Sequence, residues 1–128
     1  MPRNELNIES FLRGDFDPSG FTHREHVRMA FEMLRQHSFV QTALHYSEAL
    51  QAMTQKLGRP EVFHQTVTIA FLSLIAERLE SGRYDEFESF AAANQDLLHE
   101  SALSRWYGPE QLARSSARRT FILPDPTR

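Results

Sequence analysis

Residues 21–37 read FTHREHVRMAFEMLRQH, a stretch that has both the start signal and the apolar spacing of an amphipathic helix. Thr22 and Glu25 stand three positions apart, which is the capping-box spacing at a helix N-terminus. Apolar residues then recur at helical spacing, at Val27, Ala30, Phe31 and Leu34. At about 100° per residue, His23 falls on the same face as these apolar residues. The stretch therefore predicts an α-helix with a histidine facing the core.

The rest of the chain also predicts helices. A short helix is expected around residues 8–13, and longer ones over 39–57, 60–81, 84–93 and 109–118. Ser38 is a suitable N-cap for the helix that starts at 39, Gly58 is a typical left-handed stop, and Pro60 suits a first helical turn. In the helix over 39–57, five residues are expected to face the core: Val40, Ala43, Leu50, Met53 and Leu57.

These patterns predict an all-α fold, a compact bundle of about five helices closed by an extended C-terminal tail. A length of 128 residues suits a single domain over 1–128. Residues 1–21 are expected to form a short helix and a loop. Residues 119–128 contain two prolines and are expected to form the extended tail.

Composition and charge limit the functional classes. No apolar run approaches the roughly 20 residues needed to span a bilayer, so we expect no membrane insertion. The net charge of −3 disfavours a general attraction to nucleic acid. The N-terminal residues MPRNELNIES lack a secretory signal, and the chain has no cysteine, so we expect a cytoplasmic location. The sequence leaves open whether the protein forms a homo-oligomer.

Three histidines are expected to converge at one end of the bundle. His64, taken as part of the helix over 60–81, shares a face with Phe71 and Ile75. Short connections make consecutive helices antiparallel, so the helices that carry His23 and His64 should run parallel. Their N-termini, with His23, His26 and His64, then lie at the same end. Thr68 lies near the face of His64 and joins the candidate binding residues.

This cluster supports three hypotheses. The first is a metal site in which His23, His26 and His64 bind a divalent transition metal such as zinc. A fourth ligand would come from one of five carboxylates: Asp15, Asp17, Glu25, Glu61 or Asp96. In the second, His23 and His64 are structural and bond to backbone, to Thr68 or to each other. In the third, the histidines bind a small anionic molecule or perform acid–base chemistry without metal.

The leading functional prediction is thus a histidine-lined site, between the N-termini of two parallel helices, that binds a divalent metal ion or a small anionic ligand. The alternative is a protein-interaction module in which the histidines are purely structural. Neither hypothesis decides whether the protein is an enzyme. A zinc deaminase is excluded because the cysteines that such an enzyme needs are missing.

Several segments together carry a resemblance to one family. They are FTHREHVRMA, FHQTVTIAF, FAAANQDLL, SRWY and the closing AR-x-x-FILPD, which span about residues 21–125. The chain resembles small, all-helical bacterial proteins of unassigned activity that share an HR-x-H-V first helix, a His-x-Thr-x-Thr helix and an AR-x-x-F-x-x-PD tail. The resemblance implies that His23, His26, His64 and Thr68 belong to a shared pattern. Those proteins often carry Glu where this chain has Gln65, so this chain departs from the pattern there and a carboxylate role at that position is not carried over.

Overall fold

The structure is a computed structural model, and it describes residues 5–126. Seven α-helices and four 3-10 turns occur within this range, and it contains no strand, so the predicted all-α class is confirmed. The α-helices are α1 (Ile8–Arg13), α2 (His23–Gln36), α3 (Phe39–Lys56), α4 (Gln65–Glu80), α5 (Phe87–Ala93), α6 (Pro109–Leu112) and α7 (Ser115–Arg119). The 3-10 turns are Pro18–Gly20, Pro60–Val62, Gln95–Leu98 and Glu100–Arg105.

None of the helices between residues 5 and 126 has the length and apolar character to cross a membrane.

The three long helices α2, α3 and α4 pack against one another and carry the core. The Thr22 side chain caps α2 by accepting from the Glu25 N–H, and Ser38 and Gln41 form a capping box at the start of α3. Gly58 follows α3 with φ of 73°, a left-handed conformation that favours glycine. The largest fully buried side chains include Phe11, Met29, Phe31, Met33, Leu72, Ile75, Phe90 and Leu97. These helix boundaries agree with the capping signals in the sequence.

An extended segment follows α7 and is bound to α4 and α6. The buried Thr66 hydroxyl donates to the Thr120 carbonyl at 2.8 Å and accepts from the Ile122 N–H at 3.1 Å. The Tyr107 hydroxyl donates to the Ile122 carbonyl at 2.8 Å, and the Gln111 amide donates to the Leu123 carbonyl at 2.8 Å. The extended tail thus begins at Thr120, one residue later than predicted, and its residues 127–128 lie outside the described part.

Three helix boundaries and the helix count differ from the prediction. The expected helix over 60–81 is a 3-10 turn, Pro60–Val62, followed by α4, because Phe63 and His64 have extended backbone between them. The expected helix over 109–118 is likewise divided by extended backbone at Arg114. The fourth helix begins at Phe87 rather than Tyr84. The prediction of about five helices is therefore too low for the described residues.

Two of the five residues expected at the core face of α3 are exposed. Val40 is 76% exposed and Leu57 is 51% exposed. The buried residues of α3 are Thr42, Tyr46, Ser47, Ala49, Leu50 and Thr54, so the prediction is confirmed for Leu50. Val40 lies two positions before Thr42, and this places it on the opposite side of the helix. The prediction followed apolar residues and overlooked a buried face that contains polar ones.

Candidate functional site

A cavity of about 480 Å³ lies between the three long helices. Its wall is formed by the first half of α2, the second half of α3 and the first half of α4, as expected if α3 runs antiparallel to both neighbours. Most of the lining side chains are apolar: Phe21, Val27, Ala30, Leu50, Met53, Val62, Phe63, Val67, Phe71, Leu72 and Ile75. The polar lining residues are Thr22, His23, His26, Tyr46, Thr54, His64, Thr68 and Glu100. All four candidate binding residues thus line the same cavity.

His23 is the first residue of α2 and is partly buried. Its Nε2 lies 2.9 Å from the backbone carbonyl oxygen of Leu97. The ring also makes an edge contact with Phe71, with ring centroids 5.1 Å apart. These contacts fix the ring plane at the cavity wall and occupy one of the two ring nitrogens.

His26 lies one turn further along α2, and its ring centroid is 6.3 Å from that of His23. Phe21 packs against the ring at a centroid distance of 4.3 Å. The Tyr46 hydroxyl donates to the His26 backbone carbonyl at 2.9 Å and lies 3.5 Å from Nδ1 of the ring. Burial, together with a smaller repulsion from charge on His23, lowers the pKa of His26 from 6.5 to about 4. The His26 ring is therefore neutral at pH 7.

His64 has a different role from the other two histidines. It is the N-cap of α4, and its Nδ1 accepts from the Val67 N–H at 3.1 Å. Its Nε2 donates to the backbone carbonyl of Leu112 at 2.8 Å. Both ring nitrogens are therefore occupied, and the ring joins the start of α4 to the end of α6. This is the backbone bonding that the structural hypothesis expects for His64.

The helix N-termini at the cavity are already capped. The Thr68 hydroxyl donates to the His64 backbone carbonyl at 2.8 Å, so it bonds to backbone rather than to the imidazole. The His64 ring caps α4, and Thr22 caps α2. Each cap occupies one of the backbone N–H groups that would otherwise attract an anion.

The predicted metal site does not form in the described residues. Between residues 5 and 126, no group of three or more His, Asp or Glu side chains is arranged to hold a metal ion. None of the five proposed carboxylates lines the cavity. Asp96 pairs with Arg78 at 2.7 Å, which lowers the Asp96 pKa, and Glu25 pairs with Arg28 at 2.7 Å. With both nitrogens of His64 occupied, His23 and His26 are left without the third ligand.

Tyr46 and Glu100 are among the lining residues that sequence reasoning missed. Tyr46 lies between Ala43 and Leu50 at helical spacing, so the periodicity could have placed it on the core face of α3. Glu100 belongs to a 3-10 turn far from the histidines in sequence, and no local signal brings it to the cavity. The two backbone carbonyls that bind the histidines, of Leu97 and Leu112, leave no sequence signal either.

Comparison with protein-family models, with curated proteins and with solved structures found no match. We therefore infer the function from the geometry of the cavity.

Proposed function

We propose that this protein binds a small, largely apolar molecule in the histidine-lined cavity. The observation that carries the proposal is the cavity itself, which combines a volume of about 480 Å³ with a mainly apolar wall and a few polar groups. Small-molecule sites typically have volumes of roughly 300–1,000 Å³ and this same composition. A space of this size between the three main helices is large enough to hold a small molecule.

Apolar burial supplies the binding energy in this proposal. Phe63, Phe71 and Met53 provide flat or adaptable apolar surface, and apolar contact contributes about 25 cal/mol for each Å² removed from water. The histidines then set the orientation of the ligand through one or two hydrogen bonds. The sequence predicted a divalent metal ion or a small anion instead. A metal ion fits this wall less well because both ring nitrogens of His64 have backbone partners. An anion fits it less well because side chains cap the N-termini of α2 and α4.

A filling substitution tests this proposal. Val67 lines the cavity from α4, so Val67→Phe should occupy the space and abolish binding of toluene, used as an apolar probe. The matched control is Ala92→Phe, which adds the same ring at an exposed site on α5 and should leave toluene binding unchanged. Binding is followed by chemical-shift changes and by the shift in Tm. If the wild type does not bind toluene, or if Val67→Phe binds it equally well, the proposal is wrong.

A protein-interaction module is the second candidate, and one observation favours it. Val40 and Leu44 are 76% and 56% exposed and lie one turn apart on α3, so they present an apolar surface outside the cavity. The double substitution Val40→Ser with Leu44→Ser removes this surface without changing a residue that lines the cavity. If the cavity is the functional site, the double variant keeps toluene affinity.

A further inference from the structure

The tautomer of His23 is fixed by its backbone partner. A carbonyl oxygen only accepts hydrogen bonds, so the contact between His23 Nε2 and the Leu97 oxygen at 2.9 Å places the proton on Nε2. In the neutral ring, Nδ1 is then a hydrogen-bond acceptor. No described residue donates to His23 Nδ1.

The tautomer of His26 is fixed by Tyr46. The Tyr46 hydroxyl has one proton, and it donates that proton to the His26 backbone carbonyl at 2.9 Å. The 3.5 Å contact between the Tyr46 oxygen and His26 Nδ1 is therefore favourable when Nδ1 carries the proton, and this is the tautomer that we assign to His26. The neutral ring leaves Nε2 as an acceptor, and Nε2 has no partner within residues 5–126.

Most side-chain hydrogen-bond donors at the cavity wall already bond to backbone carbonyls. The hydroxyl of Thr68 donates to the His64 carbonyl, that of Thr54 donates to the Gln51 carbonyl, and the Nε2–H of His64 donates to Leu112. The remaining hydroxyl, of Thr22, belongs to an exposed residue. The wall therefore offers acceptors to a ligand and few donors.

A negative charge completes this set of acceptors. Glu100 lines the cavity and is exposed, and its carboxylate makes no ion pair or hydrogen bond with any described residue. An ionised carboxylate accepts hydrogen bonds without donating any, and it repels other anions. The free polar groups of the site are thus His23 Nδ1, His26 Nε2 and the Glu100 carboxylate.

We infer that the ligand is a small apolar amine whose ammonium group is bound by acceptors of this wall, among them His23, His26 and Glu100. This inference rests on the proposed function, because it specifies the polar group of the molecule that the cavity binds. A primary ammonium has three N–H donors and no acceptor, which complements acceptors on the protein, and Glu100 supplies the opposite charge. A carboxylate of the same size would face acceptors and a like charge, leaving its own oxygens unpaired.

Affinities for three matched probes test the inference at pH 7.5 by calorimetry: 2-phenylethylamine, 2-phenylethanol and 3-phenylpropanoate. We expect the amine to bind at least tenfold more tightly than the carboxylate, with the alcohol between them. Equal or tighter binding of the alcohol or carboxylate would overturn the inference and leave the proposed function standing. Failure of all three probes and of toluene to bind would remove the proposed function itself.

Substitutions test which side chains cause the preference for the amine. His26→Phe keeps an aromatic ring and removes the acceptor, so amine affinity should fall about tenfold relative to toluene affinity. His45→Phe, at an exposed histidine on α3, is the control and should change neither affinity. Glu100→Gln, at an exposed site, supplies a second readout if His26→Phe does not fold. It should weaken amine binding several-fold more than alcohol binding, and an unchanged amine affinity contradicts the inference.

Discussion

The starts of α2 and α4 both place histidines at one cavity, yet the two regions use their rings differently. At α4, His64 bonds through both ring nitrogens, to the Val67 N–H and to the Leu112 carbonyl. At α2, His23 bonds a backbone carbonyl through one nitrogen, and His26 contacts Tyr46 through one nitrogen. Each ring of the α2 pair thus has a second nitrogen to offer a ligand.

This difference shows that the role of a histidine depends on where its two nitrogens find partners. In the sequence, both regions have a histidine in the first turn of a predicted helix. Both regions therefore supplied candidate ligands. The folded chain makes the start of α4 a structural junction and the start of α2 part of the polar wall of the cavity. Variants of His64 and of His26 should therefore have different effects.

The largest expected effect concerns pH and the α2 region. Because the pKa of His26 is about 4 in the native state against 6.5 in its ordinary state, the unfolded chain binds the extra proton first as the pH falls. The stabilising contribution of the neutral ring is complete above pH 6.5 and is lost as the pH falls through 4. The loss amounts to at most about 3 kcal/mol.

Urea unfolding between pH 7.5 and 4 measures this effect, with His26→Gln as the comparison. The variant lacks the titrating ring, so its free energy of unfolding should fall less steeply over this range than that of the wild type. The carboxylates titrate in both proteins and cancel in the comparison. Parallel profiles for the two proteins would show that His26 is not desolvated.

The next effect concerns the α4 region. His64→Leu removes the N-cap of α4 and leaves the Leu112 carbonyl without its donor, so we expect a loss of about 2–3 kcal/mol in the free energy of unfolding. His64→Asn is the control, because asparagine is a good N-cap and should recover about 1 kcal/mol. Chemical denaturation measures both variants. A His64→Leu protein as stable as the wild type would end the structural assignment.

Much of the fold, and part of the site, was predictable from the sequence. The boundaries of α2 and α3 followed from Thr22, Ser38 and Gly58, whose side chains or backbone act locally. The convergence of His23, His26 and His64 followed from short connections. These features depend on neighbouring residues, and this is why periodicity and capping signals reveal them.

Other features of the site depend on contacts between distant segments. Leu97 and Leu112 bind the histidines through backbone carbonyls, across 74 and 48 positions of sequence, and a carbonyl is the same in every residue. The sequence alone also could not show that both ring nitrogens of His64, one of the predicted metal ligands, have backbone partners. Glu100 reaches the cavity through the 3-10 turns that follow α5, whose path no periodic pattern specifies.

A third prediction extends the structural role of α4 to the tail. Thr66→Val keeps the shape of the fully buried side chain but leaves the Thr120 carbonyl and the Ile122 N–H without their partner. We expect a loss of about 2 kcal/mol and faster amide exchange at Ile122. Thr66→Ser retains the hydroxyl and should keep the exchange protection. Unchanged exchange in Thr66→Val would mean that the tail is held by its other contacts.

The smallest effect on stability is expected at Tyr46. Tyr46→Phe removes the hydrogen bond to the His26 carbonyl and should cost about 1 kcal/mol. The same change removes the hydroxyl that favours one His26 tautomer. The ratio of the affinity for 2-phenylethylamine to that for 2-phenylethanol should therefore decrease. Tyr107→Phe, which removes a hydroxyl bound to the tail, is the control and should leave that preference unchanged. An unaltered preference in Tyr46→Phe would contradict the role assigned to Tyr46.

Nitrogen NMR of the histidine rings tests the division between the two regions most directly. At pH 7.5 the account predicts a proton on Nε2 of His64 and on Nδ1 of His26. Saturation with 2-phenylethylamine should shift the Nε2 resonance of His26 and the Nδ1 resonance of His23, while both resonances of His64 stay in place. A proton on Nε2 of His26 in the free protein, or a ligand shift confined to His64, would contradict the account.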